Sequence, residues 1–132
     1  MQDTQYLFDW IAIRELTARY NRAFDGGDVE AWVACFTVDG VFEIVGGKTL
    51  NGASELRGFA TKAVARLRVR HCTTDAIIEI DGDRARQDAY LLLVDIGGGS
   101  KFVNSGNYRD DLVKEHGSWK FARRSVVIDA AL

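Results

Sequence analysis

Apolar side chains recur at three- and four-residue steps from Asp3 to Phe24, where Trp10, Ile13, Leu16, Tyr20 and Phe24, with Thr17 and Ala23, make one stripe. Arg14, Glu15, Arg19 and Arg22 occupy the other sides, so the pattern predicts one long amphipathic helix. Gly26 and Gly27 end it, and Asp28 is placed to N-cap a short second helix, Val29 to Phe36, carrying Trp32 and Val33. Asp25 thus falls at a helix-to-helix corner. Asp39-Gly40 reads as a turn into the β-rich run Val41 to Val45, and Gly46-Gly47 leads to a short extended piece around Thr49 to Asn51, which predicts a hairpin. Ser54 is expected to N-cap a third helix from Glu55 to about Arg66, with Leu56, Phe59, Ala60 and Val64 on one side.

Beyond this point the period becomes that of strands: Val69 to Ile80, Arg84 to Ile96, Lys101 to Lys114 and Ser118 to Ile128. Asp81-Gly82-Asp83, Gly97-Gly98-Gly99-Ser100 and Glu115-His116-Gly117 join them as turns. The order α-α-β-β-α-β-β-β-β is α+β rather than alternating βαβ. Four long strands in succession twist and curl, and an antiparallel sheet so curled, closed by the first helices, predicts a cone-shaped α+β barrel whose open mouth is a pocket.

Length and charge narrow what such a cone can do. The 132 residues fit one domain, 1–132, with no room for a second. Seventeen basic against nineteen acidic residues leave a net charge of −2, too balanced for a protein held to nucleic acid by counterion release. No apolar run approaches the roughly 20 residues of a bilayer span, so no membrane partner is expected. The start of the chain has no secretory pattern and Cys35 and Cys72 lack CxxC spacing, so both read as reduced thiols of a cytoplasmic protein.

The inventory of groups that titrate near neutral pH is small. His116 lies in a turn between strands and reads as a solvent-exposed residue, whereas His71 begins a strand among Val, Cys and Thr, where it is either a hydrogen-bonded core or rim histidine or a base. Asp25 either caps its corner or points under the sheet. Asp28 and Asp39 read as cap and turn carboxylates, and Tyr20 as a residue of the apolar stripe. The run Arg57, Lys62, Arg66, Arg68 and Arg70 reads as a solvated face, and Gly97 to Ser100 opens no helix that could cradle a phosphate. Two histidines and two scattered cysteines make no zinc pattern, so no metal is expected.

Several local patterns in this order resemble the SnoaL-like branch of the nuclear transport factor 2 superfamily, nearly end to end. They are Ile13 to Asp28, Phe36-Thr-Val-Asp39-Gly-Val-Phe42, Arg70-His71, Gly106-Asn-Tyr108-Arg-Asp110 and Gly117-Ser-Trp119-Lys-Phe-Ala-Arg-Arg124. The resemblance implies the cystatin-like cone. It is strongest to the branch holding scytalone dehydratase, bile-acid 7α-dehydratase and hexachlorocyclohexane dehydrochlorinase, which are cofactor-free lyases. Their shared aspartate and histidine fall on Asp25 and His71. The bile-acid enzyme's tyrosine falls on Tyr20, the dehydrochlorinase's cavity arginine on Arg124, and the Ser-x-Asn of scytalone dehydratase on Ser105 to Asn107, with a hairpin one residue longer after it. The second active-site histidine of scytalone dehydratase has no counterpart.

The expectation is therefore a lyase of the dehydratase type. Asp25 would fix the tautomer of His71 and raise its basicity, leaving Nε2 to take a proton from carbon. Tyr20, Asn107 and Arg124, with Ser105 nearby, would steady the departing or developing oxyanion. Phe24, Trp32, Phe42 and Phe59 would wall the cone around a small hydrophobic cyclic or aromatic substrate. The same pair would serve an isomerase or a polyketide-cyclase-like enzyme, and other superfamily members only bind ligands. The outer sheet face predicts a homo-oligomer, the resemblance putting a trimer ahead of a dimer.

Overall fold

A computed structural model describes residues 3–129. Helix α1 spans Thr4–Asp25, and the carboxylate of Asp3 starts it by accepting the Tyr6 backbone N–H at 2.9 Å. Ile13, Leu16, Tyr20 and Phe24 are buried as the stripe predicts, but Trp10 is 39 % exposed, with the Arg14 guanidinium 5.6 Å from its ring. The buried position in that turn belongs to Asp9. It accepts from Trp119 Nε1 at 3.0 Å and pairs with Lys114 at 2.8 Å, so donors from the last hairpin draw a carboxylate inward in place of an apolar ring.

Helix α2 spans only Val29–Val33, capped by Asp28, which accepts the Ala31 N–H at 3.0 Å. It ends before Phe36 because the Cys35 carbonyl already accepts the N–H of Phe121, 2.9 Å away, and the chain enters a sheet. Strand β1, Phe36–Ile44, runs straight through Asp39-Gly40, correcting the expected turn. The two residues sit instead at an irregularity where the pairing register jumps between Phe36 and Val41. Glycine is required there, since a Cβ on Gly40 would stand 2.8 Å from that of Phe36. Strand β2, Thr49–Asn51, completes the expected hairpin. Helix α3, Gly52–Arg66, starts before Ser54, which lies inside its first turn rather than capping it; the side chain of Glu55 accepts the Asn51 N–H at 3.1 Å.

Strands β3 (Val69–Asp81), β4 (Arg84–Asp95), β5 (Lys101–Glu115) and β6 (Ser118–Ile128) match the predicted spans to within a residue. The sheet order is β2-β1-β6-β5-β4-β3, antiparallel throughout except for β1 beside β6, which is parallel. Register shifts in β3, β5 and β6 add local bend and twist to the long strands. The result is α+β with a six-stranded curled sheet and three helices. Between helices and sheet lies an aromatic core in which Tyr20, Trp32, Phe36, Tyr108 and Phe121 are each at most 5 % exposed. Among the described residues no helix is long and apolar enough to cross a membrane.

Candidate active site

Asp25 is the last residue of α1, and the chain turns away immediately through Gly26 and Gly27, the latter at φ +77°. Its carboxylate therefore caps nothing on its own helix and reaches β3. Asp25 Oδ1 lies 2.6 Å from His71 Nδ1, and Oδ2 accepts the backbone N–H of His71 at 2.9 Å. The side chains are 10 % and 12 % exposed, and Phe24 packs its ring against the imidazole at 5.0 Å and 73°. When the ring is neutral, an ionised carboxylate, which only accepts, places the proton on Nδ1 and leaves the lone pair of Nε2 free. The backbone bond prevents the carboxylate from swinging away, which fixes both tautomer and ring orientation.

The pair stands at one end of a cavity of about 610 Å³ between α1 and the inner side of β3 and β4. Thr17, Asn21 and Asp25, four residues apart, line one helical edge of it. Asn21 Nδ2 donates to Thr73 Oγ1 at 3.1 Å, and Gln87 Nε2 donates to Thr17 Oγ1 at 3.1 Å and to Asp110 Oδ2 at 2.9 Å. Arg14, Arg22 and Arg70 line the same cavity.

The aromatic residues expected as walls are placed elsewhere. Trp32, Phe42 and Phe59 stack on one another at 6.0 to 6.3 Å, and Trp32 closes on Phe24 at 5.9 Å, so the interior of the cone is filled rather than open. Tyr20 belongs to this cluster, 5.5 Å from Trp32 and 5.6 Å from Phe121, and is 2 % exposed. Burial pushes the phenol pKa of Tyr20 well above its ordinary value and raises that of Tyr108, so both stay protonated.

Arg124 is fully buried with its Nε 3.0 Å from Asp110 Oδ1, but out of hydrogen-bond alignment. Charge and the faces of Tyr20, Tyr108 and Phe121 hold it. Burial is the largest single influence and works against its charge, but Asp110, Tyr108, Tyr20 and Cys35 together outweigh it and leave its pKa raised. For Asp110 burial dominates and pushes the carboxyl up.

Ser105 and Asn107 do not join the pair. Gly106, Tyr108, Asp110 and Leu112 are the buried alternate positions of β5, so Ser105 and Asn107 point to the opposite face. There Ser105 Oγ donates to Asp129 Oδ2 at 2.5 Å, and Asn107 lines an outer groove with Ile77, Tyr90 and Val127. Tyr108 and Leu112, apolar at even positions, were the signal for this phase. The cavity's polar lining escaped the sequence reading as well, although Thr17, Asn21 and Asp25 at helical spacing mark it. Cys35 is buried, which pushes its thiol up to about 11, and Cys72 is exposed; both are free. Among the described residues no three His, Cys, Asp or Glu side chains gather as a metal site.

The SnoaL-like domain model matches residues 5–125. No curated protein sequence matches the chain. A Mycobacterium tuberculosis protein of unknown function is 34 % identical over 97 % of this chain and 76 % of its own, with a TM-score of 0.91. A Nostoc punctiforme protein of unknown function with a cystatin-like fold is 30 % identical over 95 % and 94 %, with a TM-score of 0.86. A Novosphingobium aromaticivorans protein named as a candidate scytalone dehydratase shares the fold, at 18 % identity over 95 % and 87 % and a TM-score of 0.83.

Proposed function

The chain belongs to the SnoaL-like domain family, and from that premise we propose that it is a cofactor-independent lyase of the dehydratase type acting on a small ring-bearing hydroxy compound. One observation carries the reading: a nearly buried imidazole, locked by a carboxylate 2.6 Å away, faces a cavity large enough for a ring. His71 Nε2 takes a proton from carbon, and the C–H electron pair becomes the new double bond as the neighbouring C–O bond breaks. The departing oxygen recovers that proton from the imidazolium and leaves as water, so the base is regenerated. Asp25 is the positioning residue that keeps Nδ1 protonated and offsets the transient charge. Phe24 keeps the imidazole upright. Tyr20, Arg124 and the packed rings of Trp32, Phe42 and Phe59 act as the rigid wall behind the pair, holding it in position without touching substrate.

The test is mass spectrometry of a panel of cyclic and aromatic hydroxy compounds incubated with the wild type and with His71→Ala. Loss of one water from a panel member with the wild type alone supports the reading. Equal loss with the variant overturns it, and a product that keeps the substrate's mass in ordinary water but gains deuterium in heavy water assigns an isomerase or cyclase using the same base.

The reading extends to a cytoplasmic homo-oligomer, a trimer ahead of a dimer. Self-association is supported by the outer sheet face, where Ile77 and Tyr90 are 67 % and 55 % exposed beside Val127. Sedimentation equilibrium tests it, a monomer at micromolar concentration being the contrary result.

A further inference from the structure

The cavity in front of His71 carries more charge and more unanswered polar groups than a ring alone explains. Arg14, Arg22 and Arg70 line it, and the one carboxylate among the lining residues, Asp25, is already committed to both donors of His71. None of the three arginines has a carboxylate partner among the described residues, in contrast to Arg19 and Arg57, which pair with Glu15 and Glu30 at 3.2 and 2.7 Å. Arg70 spends one Nη on the Val69 carbonyl at 3.2 Å, and Arg14 leans on Trp10. Arg22 lies three residues before Asp25, about 4.5 Å of helix rise, whereas Arg14 stands about 16 Å up the groove. Positive charge therefore flanks the pair and continues along the groove, where facing walls concentrate its field on an approaching anion.

The cavity's deeper lining makes a second demand. Asn21 Oδ1 and Gln87 Oε1 are buried acceptors without a hydrogen-bond partner, on residues 8 % and 1 % exposed that both line the cavity. Buried acceptors of this kind are uncommon in folded proteins, and a ligand hydroxyl is a donor that answers one of them.

We propose that the substrate is an anionic hydroxy compound, whose carboxylate or phosphate is received by Arg22 and Arg70 beside the pair, with Arg14 adding its charge farther along the groove, while Asn21 or Gln87 accepts its hydroxyl. The proposal rests on the reading of this cavity as the substrate site. It adds a specificity that the Asp25–His71 pair alone does not supply. An amide carbonyl orients the ring by its hydroxyl, and the arginines favour the anion over neutral analogues, from which a guanidinium gains nothing.

Titration followed by amide NMR uses para-hydroxybenzoate, para-hydroxybenzamide, benzoate and phenyl phosphate as probes. Para-hydroxybenzoate is expected to bind about tenfold more tightly than its amide, and more tightly than benzoate, shifting the amide signals of His71, Thr73 and Gln87. The advantage over the amide is expected to shrink as salt rises from roughly 0.02 to 0.3 M. Exchanging the three exposed arginines together (Arg14→Gln, Arg22→Gln, Arg70→Gln) is expected to abolish it while leaving amide binding unchanged. The order of benzoate and phenyl phosphate then tells which oxyanion the groove prefers.

Equal binding of acid and amide by the wild type, or an anion preference that survives the triple exchange, overturns the proposal. Because binding needs no proton transfer, the two readings fail separately. Loss of turnover in His71→Ala without anion preference sinks only the present proposal, and anion preference with full turnover in His71→Ala sinks only the general base.

Discussion

The guanidinium carbon of Arg124 lies 3.5 Å from the centroid of the Tyr108 ring, so a full positive charge rests on an aromatic face at the centre of the core. Its only charge partner among the described residues is Asp110, and neither side chain has any solvent exposure. Gln87 ties that carboxylate to Thr17 and so to the cavity, which makes the pair part of the frame on which the site is built.

Arg124→Met is accordingly expected to destabilise the fold by about 3–5 kcal/mol, because it strands the Asp110 charge in a dry interior. Arg124→Met combined with Asp110→Leu is expected to recover most of that loss. Urea unfolding of the two variants checks this, and a double variant no more stable than the single one would count against the account.

Asp25→Asn and His71→Ala are each expected to lower turnover by about 10²–10⁴, the range typical of positioned general bases. Both side chains keep about a tenth of their surface exposed, and neither belongs to the aromatic core, so circular dichroism should be unchanged. In Asp25→Asn the amide no longer dictates which ring nitrogen of His71 carries the proton. Its defect should therefore lie in kcat more than in KM.

Acid should loosen the first helix through Asp9. Burial pushes its carboxyl up, but the hydrogen bonds from Lys114, Trp119 and Gln5 outweigh burial and leave the pKa lowered. An acid with a lowered folded-state pKa contributes stability that is fully present above its unfolded value of about 3.9 and lost as pH falls through the folded value. Asp9→Asn is therefore expected to cost about 1–3 kcal/mol at neutral pH. The gap to the wild type should narrow below roughly pH 4. Thermal melts across that range measure it.

Two glycines should respond oppositely to alanine. At Gly106 a Cβ would lie 2.6 Å from the Val127 carbonyl, a backbone atom held in the β5–β6 ladder, so Gly106→Ala is expected to destabilise by about 1–3 kcal/mol. At Gly58, inside α3, nothing lies within 4 Å, and Gly58→Ala is expected to stabilise by about 0.5–1 kcal/mol. Paired chemical denaturation curves decide the sign at each site.

Local chemistry wrote much of this architecture into the chain. The strands from Val69 onward begin and end where Gly82 and the pair His116-Gly117 adopt positive φ, a preference that acts within a few residues and is legible without the fold. Capping by Asp28 and the stripe Ile13, Leu16, Tyr20 and Phe24 are local in the same sense. The readings of Trp10 and Asp39-Gly40 failed because partners distant in sequence overrode such preferences, whereas that of Ser54 failed locally, to a helix start two residues earlier. Lys114 and Trp119 draw Asp9 inward, β6 stretches Asp39-Gly40 into a strand, and α3 begins ahead of Ser54 directly from the β2 hairpin.

The sequence by itself therefore determined the order of elements, their punctuation and the identity of the two groups that meet, Asp25 and His71. Tertiary structure alone decided that they meet through two hydrogen bonds, that the aromatic interior closes, and that a polar groove lined by arginines opens instead. The physical reason is range. Turn and helix signals act over a few residues, whereas which side of a strand faces inward and which space stays unfilled depend on the packing of all the layers at once.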